Sequence, residues 1–180
     1  MVRKCFIIIC MLIICSCIPT KNDYDMARFK PTKFSIKPNK NKDYIKYVDT
    51  SSFYIIIHSD EFIKKHNLQN YITGFKFYSN GRVGFIKDVN FSRPETFNSK
   101  RASMGYYNFN EKEFYIETLY SGPGLLGSNY VVSKKEILLN KSTKDTLVIR
   151  TFQRNSNRIN IDKYVKQSLP KEALNFTPDW

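Results

Sequence analysis

His58 and His66 are the first places in this sequence to look for catalytic or metal chemistry, because they are its two histidines. They are too far apart for the H-E-x-x-H pattern, which puts two imidazoles and a base on one helix face. Asp60 or Glu61 could complete a metal site with them. The plainer arrangement is a strand-end His58 and a helix-end His66, where a positive charge suits the helix dipole. A hydrolase built on His58 would need a carboxylate or hydroxyl within hydrogen-bond reach of it. No G-x-S-x-G elbow is present, and the Gly-rich stretch Ser121-Gly122-Pro123-Gly124 lacks the G-K-[ST] of a phosphate cradle. Glu117 and Arg150 fall mid-strand. Facing inward they would form a buried ion pair or read a ligand carboxylate, and facing outward they are rim charges, which the cost of burying ions favours. Tyr106, Tyr107 and Tyr115 either stack on a ligand ring or form an amphipathic wall. The reading is non-catalytic, with no metal and no cofactor.

All four cysteines, Cys5, Cys10, Cys15 and Cys17, lie in the first seventeen residues. Nothing after Cys17 forms an internal disulfide or a thiolate metal site. Arg3 and Lys4 precede an apolar run of eleven residues, Cys5 to Cys15. That length fits the core of a secretory signal and falls short of the ~20 residues that span a bilayer. The run ends in Ile14-Cys15-Ser16-Cys17 and resembles a bacterial lipoprotein signal. The resemblance implies a diacylglyceryl thioether on Cys17, cleavage between Ser16 and Cys17, and acylation of the new amine. Two or more acyl chains anchor a protein stably where one does not. A plain secretory signal is the alternative. Ile18 is not the Asp that retains such proteins at the inner membrane, so the expected address is the outer membrane, on either face. Loss of Arg3 and Lys4 lowers the formal net charge from +13 to +11.

The elements that would carry any site follow from composition. With 42% apolar and 15% aromatic residues, the chain of 180 suits one β-rich domain plus extensions. Residues 17–46 are rich in Lys and Pro and read as a basic flexible tether, a passive spacer or a stretch lying on anionic lipid, with Phe29, Phe34 and Ile36 available to pack on the domain. Phe53 to Ile57 is a strand, and the charges of 60–67 suit one short helix. Tyr71 to Asp88 is the organising hairpin. A two-residue turn at Asn80-Gly81 pairs Phe77 with Gly84, Lys76 with Phe85 and Phe75 with Ile86, leaving Gly84 as room under the Phe77 ring. Residues 88–101 form a long loop. Ala102 to Phe109 and Glu113 to Tyr120 form a second hairpin, pairing Phe109 with Phe114, Tyr107 with Ile116 and Tyr106 with Glu117. Ser121 to Ser128 is a turn. Asn129 to Ser133 and Glu136 to Leu139 form a third hairpin about Lys134-Lys135, and Thr146 to Phe152 is the last strand. Ile159 to Ser168 is a short helix in a C-terminal tail.

The fold class is therefore all-β: an eight-stranded antiparallel up-and-down barrel, which removes exposed edges, with one short helix after the first strand and a C-terminal helical tail. The signal occupies 1–16, the tether 17–46, the barrel 47–155 and the tail 156–180. The phrases GFKFYSNGRV, GYYNFNEKEFYIE and DTLVIRTF, within residues 50–155, resemble the lipocalin-like lipoproteins common in Bacteroidota. That resemblance implies a barrel around a small hydrophobic or amphipathic ligand. Phe75, Phe77, Phe85, Tyr107, Phe109, Phe114 and Ile116 are the candidate lining, with Leu125 and Leu126 as a lid. The expected partners are the membrane, through lipid on Cys17, and a small apolar ligand or an envelope protein. A filled barrel serving as an envelope interaction module is the alternative. Nucleic acid is not an expected partner, because the lysines are spread over turns and tether.

Overall fold

The computed structural model describes residues 19–58, 72–124, 127–152 and 159–180. Two short strands, β1 (Thr20–Lys21) and β2 (Ala27–Arg28), pair with each other. Eight more form a closed antiparallel barrel: β3 (Ser52–Ile57), β4 (Gly74–Phe77), β5 (Arg82–Ile86), β6 (Ser103–Phe109), β7 (Phe114–Gly124), β8 (Gly127–Ile137), β9 (Thr146–Phe152) and β10 (Ile159–Ser168). Each strand pairs with its neighbour in sequence, and β10 closes the ring against β3. Among the described residues the helical segments are short 3₁₀ turns, and the helix expected over 60–67 lies outside them.

Eight strands are thus found, but not the eight expected. The stretch 159–168 is a strand, not a helix, and the barrel runs to Ser168. Its β-branched Ile159, Ile161 and Val165 alternate with Asn160, Asp162 and Tyr164, a period of two. As a helix it would leave β9 and β3 with open edges. The hairpin expected about Lys134-Lys135 is instead one continuous strand, β8. Neither lysine suits the φ > 0 positions of a tight turn. The turn expected at 121–128 is absent over Ser121–Gly124, which continues β7 as strand.

The organising hairpin forms with its register moved by one. Phe75 faces Phe85, Lys76 faces Gly84 and Phe77 faces Val83. The loop holds three residues, Ser79, Asn80 and Gly81, and the Tyr78 amide donates to the Arg82 carbonyl at 2.9 Å. Only Gly81 takes a positive φ there, as in a type I turn closed by a bulge. A Cβ on Gly81 would fall 2.3 Å from the Asn39 nitrogen. A slip of one residue exchanges faces. Phe85 therefore joins Phe75 and Phe77 inside, while Ile86 and Gly84 turn outward. Gly84 gives room not to Phe77 but to Ala102 and the Trp180 ring. The second hairpin keeps its expected register, with Tyr106 on Glu117, Tyr107 on Ile116 and Phe109 on Phe114.

The outer wall is clothed. From residue 19 on, the stretch expected as a tether lies along the barrel. Phe34 packs edge-on against Tyr106 at 4.9 Å, and Tyr44 and Val48 enter the interior core. Asn39 bridges to β6: its amide donates to the Tyr107 carbonyl, and its Oδ1 accepts from the Phe109 amide, both at 2.9 Å. Arg28 is 9% exposed. Its guanidinium donates to Asp179, Ala102 and Lys100 oxygens and stacks 4.9 Å from the Trp180 ring. The first and last segments of the described chain are thereby clasped together on the outer face of β6.

Candidate functional site

The barrel interior divides into two halves. Strand polarity places the 78–82, 109–114 and 137–146 connections at one end, which we term closed. There Tyr54, Phe75, Phe77, Tyr107, Phe114 and Ile116 are fully buried in one cluster, with Tyr44 and Val48 packed among them. Phe77 lies 5.5 Å from Tyr107 and 6.3 Å from Phe114, ring to ring. The Tyr107 hydroxyl donates to the Tyr78 carbonyl at 2.6 Å. Among the described residues these rings pack directly against one another.

The other end is open. Its cavity of about 1150 Å³ is lined, among the described residues, by Ile56, Phe85, Thr118, Lys135, Asp162 and Tyr164, with Ser103, Ser133 and Thr151 beside them. Alternation explains why these side chains share the interior. Lys135 faces Ile116 on β7 and Thr151 on β9 across the ladder, and Thr118 faces Ser133. The Lys135 ammonium donates to Thr118 Oγ1 and to Ser133 Oγ, both at 2.9 Å. Burial pushes its pKa down to about 8, while Asp162 pulls it back up. Burial raises the Asp162 carboxyl, opposed first by His58 and then by Lys135. Among the described residues no ion pair within 4 Å includes Lys135 or Asp162. Tyr164, below them, has its phenol held well above the usual range by burial. The cavity thus offers an ammonium and hydroxyls on one wall, a carboxyl on another, and rings beneath.

Of the expected lining residues that are described, Phe85 alone borders this cavity. Phe75, Phe77, Tyr107, Phe109, Phe114 and Ile116 pack together below it. Leu125, Leu126, Cys17 and His66 lie outside the described residues. Glu117 and Arg150 both face outward. Glu117 is 3% exposed beneath the N-terminal segment, where it accepts from the Ser35 amide at 2.7 Å, the Ile36 amide at 3.3 Å and the Ser35 hydroxyl. Arg150 pairs with Glu136 at 3.4 Å on the outer wall. Tyr106 packs under Phe34, and Tyr115 carries the Lys134 ammonium over its ring at 4.2 Å. Lys135, Asp162, Thr118 and Ser133 were not among the expected site residues. The signal for Ser133 and Lys135 was the alternation Val131, Ser133, Lys135, Ile137, which a turn at Lys134-Lys135 interrupts.

A smaller cavity of about 260 Å³ lies outside the barrel, between the 78–82 turn and the C-terminal segment, against Lys76, Arg82 and Phe176. Lys76 donates to the Thr50 carbonyl, and burial lowers its pKa to about 8. Among the described residues no cluster of three or more His, Cys, Asp or Glu could hold a metal. Among the same residues no helix is long and apolar enough to cross a bilayer. Comparison with protein-family models, curated proteins and solved structures finds no match for this chain.

Proposed function

We propose that this protein is a lipid-anchored, non-catalytic cell-envelope barrel that holds one small amphipathic molecule in its open half. The observation that carries this is the cavity of about 1150 Å³ above a packed aromatic core. Ligand sites of this kind are concave, mostly apolar and oriented by a few polar groups. The apolar body of the ligand would rest on Ile56, Phe85 and Tyr164. Its acidic head would meet the Lys135 ammonium, already oriented by Thr118 and Ser133. With a pKa of about 8 that lysine is charged at neutral pH, and in a water-poor site a charge-assisted bond counts for more than in solvent. The anchoring part of the proposal rests on the N-terminal signature ending at Cys17, and the outer-membrane address and the likeness to lipocalin-like lipoproteins belong to the same reading.

Native mass spectrometry of the protein extracted in mild detergent tests the binding. We expect a species heavier by one small molecule, and displacement of a fluorescent fatty acid from the purified barrel. A bare mass together with no uptake of the fluorescent fatty acid overturns it.

A further inference from the structure

Where the cavity opens, the outer wall loses its clothing. Ile57, Phe152, Ile159 and Ile161, together with Tyr120 at the lip, are each between 38% and 58% exposed. The first four stand on adjacent strands. Phe152 faces Ile159 across the β9–β10 ladder, and Ile57 faces Lys163 across β3–β10. Alternation turns all four outward, and strand polarity puts all four at the open end. On the other side of the barrel, among the described residues, Phe53 and Ile86 are covered by the 88–102 loop and the C-terminal segment, and Met104, Tyr106 and Leu119 by the N-terminal one. An exposed apolar group of this kind marks a binding surface.

Three observations name the occupant. First, β1 begins at Thr20, and the β1–β2 hairpin sits at the same end, with Tyr24 and Met26 lining the cavity. Cys17 is three residues before Thr20, a reach of at most about 10 Å. An acyl chain on Cys17 would thus enter the bilayer beside the cavity mouth, since the basic stretch is laid on the barrel and is not a long leash. Second, the hairpin lies by β6 and the bare apolar patch lies on β9, β10 and β3, across the ring from it. The two contacts flank the mouth on opposite sides. Third, exposed Lys163 stands within the patch and Lys87 and Arg101 at the mouth, with Asp88 the exposed acid beside them, in a chain whose formal net charge is +11 once Arg3 and Lys4 are removed. Cations around apolar side chains suit an anionic lipid surface.

We infer that the open end of the barrel docks face-down on an anionic bilayer, with the rim residues Ile57, Phe152, Ile159 and Ile161 entering the headgroup region. The cavity then opens onto lipid, and its ligand is taken from the membrane or returned to it without crossing water. The inference rests in part on the acylated Cys17 of the proposed function.

The test replaces Ile159 by the photocrosslinking residue benzoylphenylalanine in the full-length protein, with Ile161 as a second position and Lys112, at the closed end, as the control. The protein is reconstituted in phosphatidylcholine vesicles with and without phosphatidylglycerol and irradiated. We expect lipid adducts at 159 and 161 several-fold above those at 112, increasing with phosphatidylglycerol. Equal labelling at the two ends overturns the inference. So do adducts at 159 and 161 to protein alone in native membranes. The intact mass reports the anchor separately: an unmodified Cys17 with lipid adducts still at 159 ends the anchor reading and leaves the docking standing.

Discussion

The closed and open halves of the barrel are built from the same eight strands with the same alternation, yet one is packed and the other hollow. The difference lies in the size of successive inward residues. Along β6 they run Ser103, Gly105, Tyr107, Phe109 from the open end to the closed end. Along β8 they run Val131, Ser133, Lys135, Ile137, and along β9 Thr151, Ile149, Leu147. A barrel of eight strands is just wide enough to be filled by large side chains, so small and polar ones leave a space. The closed half holds the fold together, while the open half tolerates a buried lysine and an acid because a cavity lies beside them.

If this contrast is right, removing a ring from the closed half has the largest effect. Phe77→Ala should destabilise the protein by about 3–5 kcal/mol through lost burial and a cavity among Tyr54, Tyr107 and Phe114, read by urea unfolding. A loss under about 1 kcal/mol would mean that the closed half is not the core.

Next is the clasp outside the barrel. Glu117→Gln should cost about 1.5–3 kcal/mol, because charged acceptors of two backbone amides and a hydroxyl are replaced by a neutral one. Hydrogen exchange at Ser35 and Ile36 should rise first. Unchanged exchange there would detach Glu117 from the segment above it.

The open half should respond to pH through its lysine. Burial holds Lys135 at about 8, below its ordinary 10.5, and Lys76 likewise. Below pH 8 both folded and unfolded states carry the proton and the burial penalty is complete. As pH rises from about 8 toward 10.5 the unfolded chain holds more protons, so stability increases. Above about 10 the buried tyrosines reverse this, since Tyr54 is raised to about 12 and the unfolded phenols ionise first. The Lys135→Met, Lys76→Met double variant should flatten the rise between pH 8 and 10. The same deprotonation should weaken uptake of a carboxylate amphiphile as pH passes 8, and an unaltered uptake would remove Lys135 from ligand recognition.

The smallest expected effect is on the outer wall. Arg150→Ala breaks a partly exposed pair with Glu136, and such pairs contribute about 0–1 kcal/mol. A larger loss, measured by thermal unfolding, would show that the outer wall shares the burden of the closed half.

The second hairpin was legible in turn and register, though not in the length of its return strand, because Asn110 Oδ1 accepts from the amides of Lys112 and Glu113 and fixes that turn locally. The first was legible as a hairpin but not in register. Asn80-Gly81 allows a two-residue turn, and it is the crossing of Asn39 over Gly81 that accompanies the three-residue one. That slip moved Phe85 into the interior and Ile86 out of it. Lys135 and Asp162 were missed for one reason: each sat in a stretch assigned to another local structure, a turn and a helix.

Composition and alternation alone determined a β-rich antiparallel chain and an apolar run from Cys5 to Cys15, because strand propensity, period and hydropathy are local properties of the residues. The count of eight agreed only because β8 was read as two strands and β10 as a helix. Which residues face the cavity, which clothe the wall, and that 159–168 is the closing stave were decided by tertiary structure. Ring closure must satisfy the edges of β9 and β3 together. Only a partner far away in sequence can supply that requirement.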